Sequence, residues 1–172
     1  MPNTSVTTLF KFNRWIGSIV WMLALALLIA PALDAAADDT PSRPATPASP
    51  AAMKLESART LIKAKQFEAA IPVLMDAIAA DDRNADAHNL LGYSNRNLGR
   101  YPAASTAYAR ALALDPKHKG ALEYQGELFL KLGQLDKAEN NLKRLDSICW
   151  LGCEEYTDLK ASIAVYKSKR GS

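Results

Sequence analysis

The stretch ADAHNLLGYSNRNLGRYPAASTAYARALALDPKH, residues 85–118, has the pattern of two consecutive helices. Its first half places apolar or small side chains at helical spacing, and Gly99 then suits the left-handed conformation that commonly ends a helix. Pro102 fits the first turn of a second helix, where its missing N–H costs no hydrogen bond. Asp115-Pro116 ends that helix, because proline disfavours helical backbone in the preceding residue. The stretch therefore predicts a helical hairpin.

The same pattern recurs on either side of this stretch when the sequence is shifted by 34 residues. Three copies result, covering 51–84, 85–118 and 119–152. Small residues recur at two positions of the copy, where only a short side chain lets two helices cross closely. They are Ala58, Gly92 and Gly126 in the first helices, and Ala70, Ala104 and Ala138 in the second.

The copies share a set of spaced residues. In the middle copy these are His88-x2-Leu91-Gly92-x2-Asn95, Ala104-x3-Tyr108 and Pro116. In the third they are Leu122-x2-Gln125-Gly126-x2-Phe129 and Ala138-x3-Leu142. This pattern resembles the tetratricopeptide repeat (TPR) family, whose 34-residue unit carries W-x2-L-G-x2-Y, then A-x3-F, then P. The resemblance implies an all-α, right-handed α-solenoid of three helix pairs.

A further amphipathic helix follows the third copy. Tyr156, Leu159, Ile163 and Tyr166 are spaced so that they share one helix face. A stack of repeats leaves its last apolar face open, and an added helix commonly covers it. Residues 153–168 are therefore predicted to be a capping helix, followed by a tail over 169–172.

The first 37 residues have the pattern of a targeting segment. Lys11 and Arg14 precede an uncharged apolar run over 15–33, and small residues at 35–37 precede Asp38. This arrangement is typical of a secretory signal peptide cleaved after residue 37. The alternative is an uncleaved membrane anchor, since the run is long enough to span a bilayer. Cleavage predicts a periplasmic or secreted protein, and the anchor predicts a domain outside the cytoplasm that meets the membrane only through this segment.

Residues 38–50, DDTPSRPATPASP, separate the targeting segment from the repeats. Four prolines and no large apolar side chain leave this stretch without surface to bury. It is predicted to be an extended linker.

Composition argues against several classes of function. The formal net charge is only +3, whereas a nucleic-acid binder needs a strongly basic face. Neither of the two histidines has a second potential metal ligand four residues further on. His88 is predicted to lie at the core or rim, and His118 in a solvated loop. Neither a catalytic triad nor a phosphate-binding loop is present. The chain is therefore predicted to be neither an enzyme nor a cofactor carrier.

Cys149 and Cys153 flank Trp150-Leu151-Gly152. Two cysteines this close in an oxidising compartment commonly pair, and Gly152 gives the intervening segment freedom to close. A structural disulfide is predicted. Free thiols and a metal or redox site remain alternatives, although the C-x-x-C spacing of redox proteins is absent.

Resemblance to the TPR family also implies a concave groove lined by the first helix of each pair, where a protein or peptide binds. Groove residues carried over from the family pattern are Arg59, Lys63, Asn89, Tyr93, Arg96, Asn97, Glu123, Glu127, Leu130 and Lys131. Some members clamp a terminal carboxylate with Lys, Asn and Arg. The matching positions here hold Leu55, Arg59, Leu90, Gly120 and Tyr124, which disfavours that clamp.

The function predicted from these features is an exported protein-interaction module, an adaptor or scaffold in the cell envelope. The alternative is a thiol-redox or metal-carrying envelope protein that uses Cys149 and Cys153. The sequence does not identify the partner.

Overall fold

Helices connected by short turns form the whole of the described chain. The computed structural model describes residues 49–170. Its helices are α1 Pro50–Lys63, α2 Phe67–Ala80, α3 Ala85–Asn97, α4 Tyr101–Leu114, α5 Lys119–Lys131, α6 Leu135–Ile148 and α7 Glu154–Arg170. Helices α1 to α6 pack as three successive pairs, and α7 packs against α5 and α6. The predicted all-α solenoid with a final covering helix is confirmed.

The first helix of each pair begins with a capping side chain. Ser49, Asn84 and His118 each accept a hydrogen bond from the backbone N–H three residues ahead, at 3.2, 3.0 and 3.2 Å. Such a cap satisfies one of the backbone donors that a helix start leaves free. His118 lies in the loop before α5, as predicted, but its side chain is only 13% exposed and its ring Nδ1 caps the helix, so the expectation of a solvated side chain is wrong.

A left-handed residue ends the turn inside each pair. Gly99 and Gly133 have φ values of 73° and 74°, and Lys65 occupies the same place in the first pair with φ 59°. A side chain bearing Cβ is strained in this region of backbone space, whereas glycine is not. The first pair therefore makes the same turn as the others at a higher conformational cost.

Glycine is required where α3 packs against the aromatic ring of α4. A Cβ on Gly92 would lie 2.6 Å from the ring of Tyr108, which is fully buried. In the third pair the aligned Gly126 meets a different partner, because a Cβ there would lie 2.7 Å from Leu159 of α7. The last pair thus uses its small residue to receive the covering helix.

The largest buried cluster joins α7 to the third pair. Leu159 and Ile163 of α7 are buried, with Tyr156 and Tyr166 partly buried beside them. They pack against side chains of α5 and α6, namely Leu122, Leu130, Ala138 and Leu145. The face predicted from the spacing of α7 is the one that packs.

Two predicted boundaries differ from the structure. Pro50 is the first residue of α1 and not the last of the linker, because proline is compatible with a helix start that Ser49 caps. Helix α7 continues through 169 and 170, where a tail is predicted, since the basic residues of its last turn favour the helix C-terminus. The signal peptide or anchor over 1–37, and the linker before Ser49, lie outside the described residues.

Candidate ligand-binding groove

An aromatic cluster with one arginine lies where the first helices of the pairs meet. The rings of Tyr93 and Tyr124 lie 4.8 Å apart, and Phe67 contacts Tyr93 edge-on at 6.0 Å. The Arg96 guanidinium lies 5.4 Å from the Tyr93 ring and 5.5 Å from the Tyr124 ring, in cation–π geometry. It also pairs with Glu127. The cluster therefore links α2, α3 and α5.

Arg96 is held inside this cluster and has little surface for a partner. Its side chain is only 10% exposed, and the buried Tyr108 lies beneath it. Burial raises the pKa of the Tyr108 hydroxyl well above its ordinary value, although the Arg96 charge opposes that shift. Burial would lower the pKa of Arg96, but Tyr108 and Glu127 raise it overall, so the guanidinium stays charged. Arg96 therefore positions the aromatic rings.

A cavity of about 360 Å³ opens beside this cluster, and we call it the groove cavity. Four of the residues predicted from the family pattern line it: Arg96, Glu127, Leu130 and Lys131. The opposite wall belongs to α7, through Ser162, Val165, Tyr166 and Lys169. The cavity combines apolar surface with charges of both signs, as binding sites for protein segments do.

The sequence-predicted site contains no residue of α7. The amphipathic pattern of this helix is fully explained by its role in covering the third pair, so the pattern gives no reason to expect a binding surface there. One signal was present in the sequence: Val165 is a large apolar residue of α7 outside the face formed by Tyr156, Leu159, Ile163 and Tyr166. In the structure Val165 is 52% exposed and lines the groove cavity.

A charged network occupies the other end of the groove. Arg59 Nη2 lies 2.8 Å from Asp86 Oδ2, and His118 Nε2 lies 3.0 Å from Asp86 Oδ1. The hydrogen bond from His118 and the charge of Arg59 hold the pKa of Asp86 below its ordinary value, against the effect of burial. Arg59, predicted as a groove cation, is thus already paired with a carboxylate.

Other predicted groove residues differ in exposure. Lys63, Asn97 and Lys131 are exposed, and Asn97 donates a hydrogen bond to the Tyr93 carbonyl oxygen at 2.8 Å. By contrast Asn89, Glu123 and Leu130 are buried, at 5%, 8% and 8% exposure. His88 is partly buried, with its Nε2 3.1 Å from the Asp82 carbonyl oxygen, which agrees with a rim position.

Glu123 is a carboxyl group in unusual surroundings. Burial raises its pKa to about 8, and the charges of Glu127, Asp158 and Glu155 add to that effect. The charge of Arg96 only partly opposes it. Glu123 thus binds a proton far more readily than an exposed glutamate does.

Cys149 and Cys153 form a disulfide between α6 and α7. The bond closes a short turn in which Trp150 and Leu151 are 81% and 80% exposed. Within residues 49–170, no group of three or more His, Cys, Asp or Glu side chains is arranged to hold a metal ion. In the same range, none of the helices combines the length and the hydropathy needed to cross a bilayer.

The family model for the tetratricopeptide repeat matches residues 55–108 and 94–145. Together these matches cover more than half of the 172 residues, so the chain belongs to the TPR family. No curated protein matches the chain.

Solved structures with a similar fold include TPR domains and a secretion chaperone. The first TPR domain of Spaghetti (RPAP3), bound to the HSP90 peptide SRMEEVD, has a TM-score of 0.62 at 17% identity, covering 71% of this chain and 94% of that one. The Yersinia enterocolitica type III secretion chaperone SycD, in complex with a peptide of the translocator YopD, gives 0.60 at 20%, covering 69% and 92%. The Arabidopsis OM64 TPR domain gives 0.61 at 16%, covering 67% and 95%. At these identities the likeness is one of fold.

Proposed function

We propose that this chain is an exported adaptor whose groove cavity holds an extended segment of a partner protein. The observation that carries the proposal is the cavity itself, an open cleft of about 360 Å³ that α3, α5 and α7 line beside the aromatic cluster. Aromatic side chains offer a large contact area at a low entropic cost. Two proteins of the same fold, the RPAP3 domain and SycD, are bound to peptides in their solved structures.

The terminal-carboxylate clamp is not the proposed mode of binding. Arg59 is paired with Asp86, and the clamp positions Gly120 and Tyr124 lie beside acidic side chains. A partner is instead expected to pass through the groove cavity, where Leu130 and Val165 offer apolar contact and Lys131 and Lys169 offer charge.

Export is the second part of the proposal. The apolar run over 15–33 and the small residues at 35–37 support it, and so does the Cys149–Cys153 disulfide, because disulfides persist in oxidising compartments. N-terminal sequencing of the protein from its source cells is expected to begin at Asp38. A chain that retains Met1 in the membrane fraction would establish the anchor instead.

Binding can be tested with a phage-displayed library of short peptides panned against the immobilised full-length chain. We expect enrichment of a shared peptide pattern, and its loss in Val165→Glu, which places a charge on the cavity wall without disturbing the core. Met75→Glu is the matched control, because Met75 is 58% exposed on α2 and lines none of the described cavities. Equal enrichment on Val165→Glu and on the unchanged chain would contradict the proposal.

A further inference from the structure

A second, smaller cavity lies between α5 and the start of α7, and its side chains are mostly acidic. We call this cavity the acidic pocket. It has a volume of about 170 Å³ and is lined by Gly120, Glu123, Tyr124, Glu154, Glu155 and Asp158. None of the six is a lysine, arginine or histidine, so no cation in the lining balances the carboxylates. The volume exceeds that of several water molecules, at about 30 Å³ each.

The carboxyl groups of the acidic pocket have neither an ion pair nor a side-chain hydrogen bond within residues 49–170. Each of the ion pairs in that range involves other acidic residues, and none of the four carboxyl groups accepts a side-chain hydrogen bond. Glu154 and Glu155 lie in the first turn of α7, where the helix dipole favours negative charge. The helix dipole of α7 does not explain the position of Glu123, which lies on α5.

Glu123 is the residue that distinguishes this pocket from an acidic patch on the surface. It is only 8% exposed, yet it lines the pocket and has no hydrogen-bond partner. In a side chain this buried, the charged form of a carboxyl group is disfavoured unless a donor or a cation lies beside it. Among the side chains that line the pocket, hydrogen-bond acceptors therefore outnumber donors.

We infer that the acidic pocket binds a lysine or arginine side chain of the partner segment. This inference rests on the proposed function, since it assigns a charge to one position of that segment. Charge complementarity favours a cation, and the carboxylates are not arranged to hold a metal ion, which leaves a cation with several N–H donors on a flexible stem. Such a group can reach Glu123 and Asp158 together and supply the donors they lack.

The inference can be tested without a peptide, by NMR titration of the ¹⁵N-labelled full-length chain in a mild detergent. The probes are N-acetyl-arginine amide and N-acetyl-lysine amide, with N-acetyl-citrulline amide as the uncharged analogue of arginine. We expect saturable shifts of the Gly120 and Tyr124 amides with the two cations, and much weaker ones with citrulline. Equal shifts with citrulline, or none with either cation, would overturn the inference.

Variants separate the pocket from general electrostatics. Above pH 8, where Glu123 is ionised, Glu123→Gln and Asp158→Asn are each expected to weaken binding of the arginine probe by about tenfold, because each removes the charge that strengthens a hydrogen bond. Asp146→Asn is the matched control, because Asp146 is exposed on α6 outside the pocket. Unchanged binding in Glu123→Gln would rule out this pocket. If peptides are enriched on the chain but lack basic residues, the inference fails while the proposed function stands.

Discussion

Individual side chains determine how closely the helices approach. Gly92→Ala is expected to destabilise the fold by about 1–3 kcal/mol, because the new Cβ would lie 2.6 Å from the Tyr108 ring, which is fully buried and has no room to move. Urea unfolding measures the change. Gly120→Ala is the control, since its Cβ would meet only the end of a side chain at 3.3 Å. Alanine has the higher helix propensity at both positions, so an equal gain in stability at both would show that helix propensity, and not the ring, decides.

The protonation of Glu123 makes stability depend on pH. Its pKa is about 8 in the fold against an ordinary 4.5, so the unfolded chain loses this proton first as the pH rises. Between these values the wild-type free energy of unfolding falls with rising pH, and above about pH 8 the full penalty is present.

Glu123→Gln cannot titrate and is expected to avoid this penalty. Its stability advantage over the unchanged chain should grow from near zero at acidic pH to about 2–4 kcal/mol above pH 8, since each pKa unit corresponds to about 1.4 kcal/mol. The variant also relieves repulsion on Glu127, Asp158 and Glu155. Urea titrations across this pH range measure the difference, and parallel stability curves would show that the pKa of Glu123 is the same in the folded and unfolded chain.

At the scale of helices and turns, the first helical pair contains an avoidable strain. Lys65→Gly is expected to stabilise the fold by about 0.5–1 kcal/mol. The left-handed conformation costs a side chain about 1–2 kcal/mol, and the larger conformational entropy of glycine in the unfolded chain offsets only part of the strain that is relieved. Gly99→Ala, the reverse change at the equivalent turn of the second pair, should destabilise. Thermal or urea unfolding of both variants tests this, and two changes of the same sign would refute it.

The helices themselves follow from local sequence signals. Gly99 and Pro102 mark a turn whose geometry depends on neighbouring residues alone, and the structure ends α3 and begins α4 there. The 34-residue shift aligns Lys65 with Gly99 and Gly133, but it does not predict that Lys65 adopts a left-handed conformation. The tertiary use of a residue is harder to predict, because it depends on distant partners. The position of Gly126 in the repeat predicts a contact with the second helix of its own pair, but in the structure Gly126 packs against Leu159 of α7.

In the candidate site too, features that follow from the repeat pattern are predictable, and features that depend on distant partners are not. The family pattern identifies one wall of the groove cavity, through Glu127, Leu130 and Lys131, because repeats place equivalent residues on equivalent faces. It does not identify the wall from α7, which has no equivalent among the repeats. It also does not reveal that Arg96 is paired with Glu127 and enclosed by two rings, since that arrangement joins residues of different copies.

For the whole molecule, the disulfide connects the covering helix to the solenoid. Reduction, or the double change Cys149→Ser with Cys153→Ser, is expected to lower the free energy of unfolding by about 2 kcal/mol, the chain-entropy value for so short a loop. Amide hydrogen exchange should speed up most in α7. The double variant serves as its own control, because reductant should leave it unaffected. If reductant does not change the unfolding of the unmodified chain, the disulfide contributes nothing to stability.

Helix α7 both covers the third pair and lines the two cavities, and this limits where further repeats can be added. Repeat proteins commonly lengthen by duplicating a unit, which inserts new helices between existing ones. A unit inserted between α6 and α7 would carry the wall formed by Val165 and Tyr166 away from Arg96 and Glu127, and it would separate Glu123 from Asp158. A unit added before Pro50 would leave all of these contacts unchanged. Lengthening of the solenoid that preserves both cavities is therefore possible only on the amino-terminal side of α3.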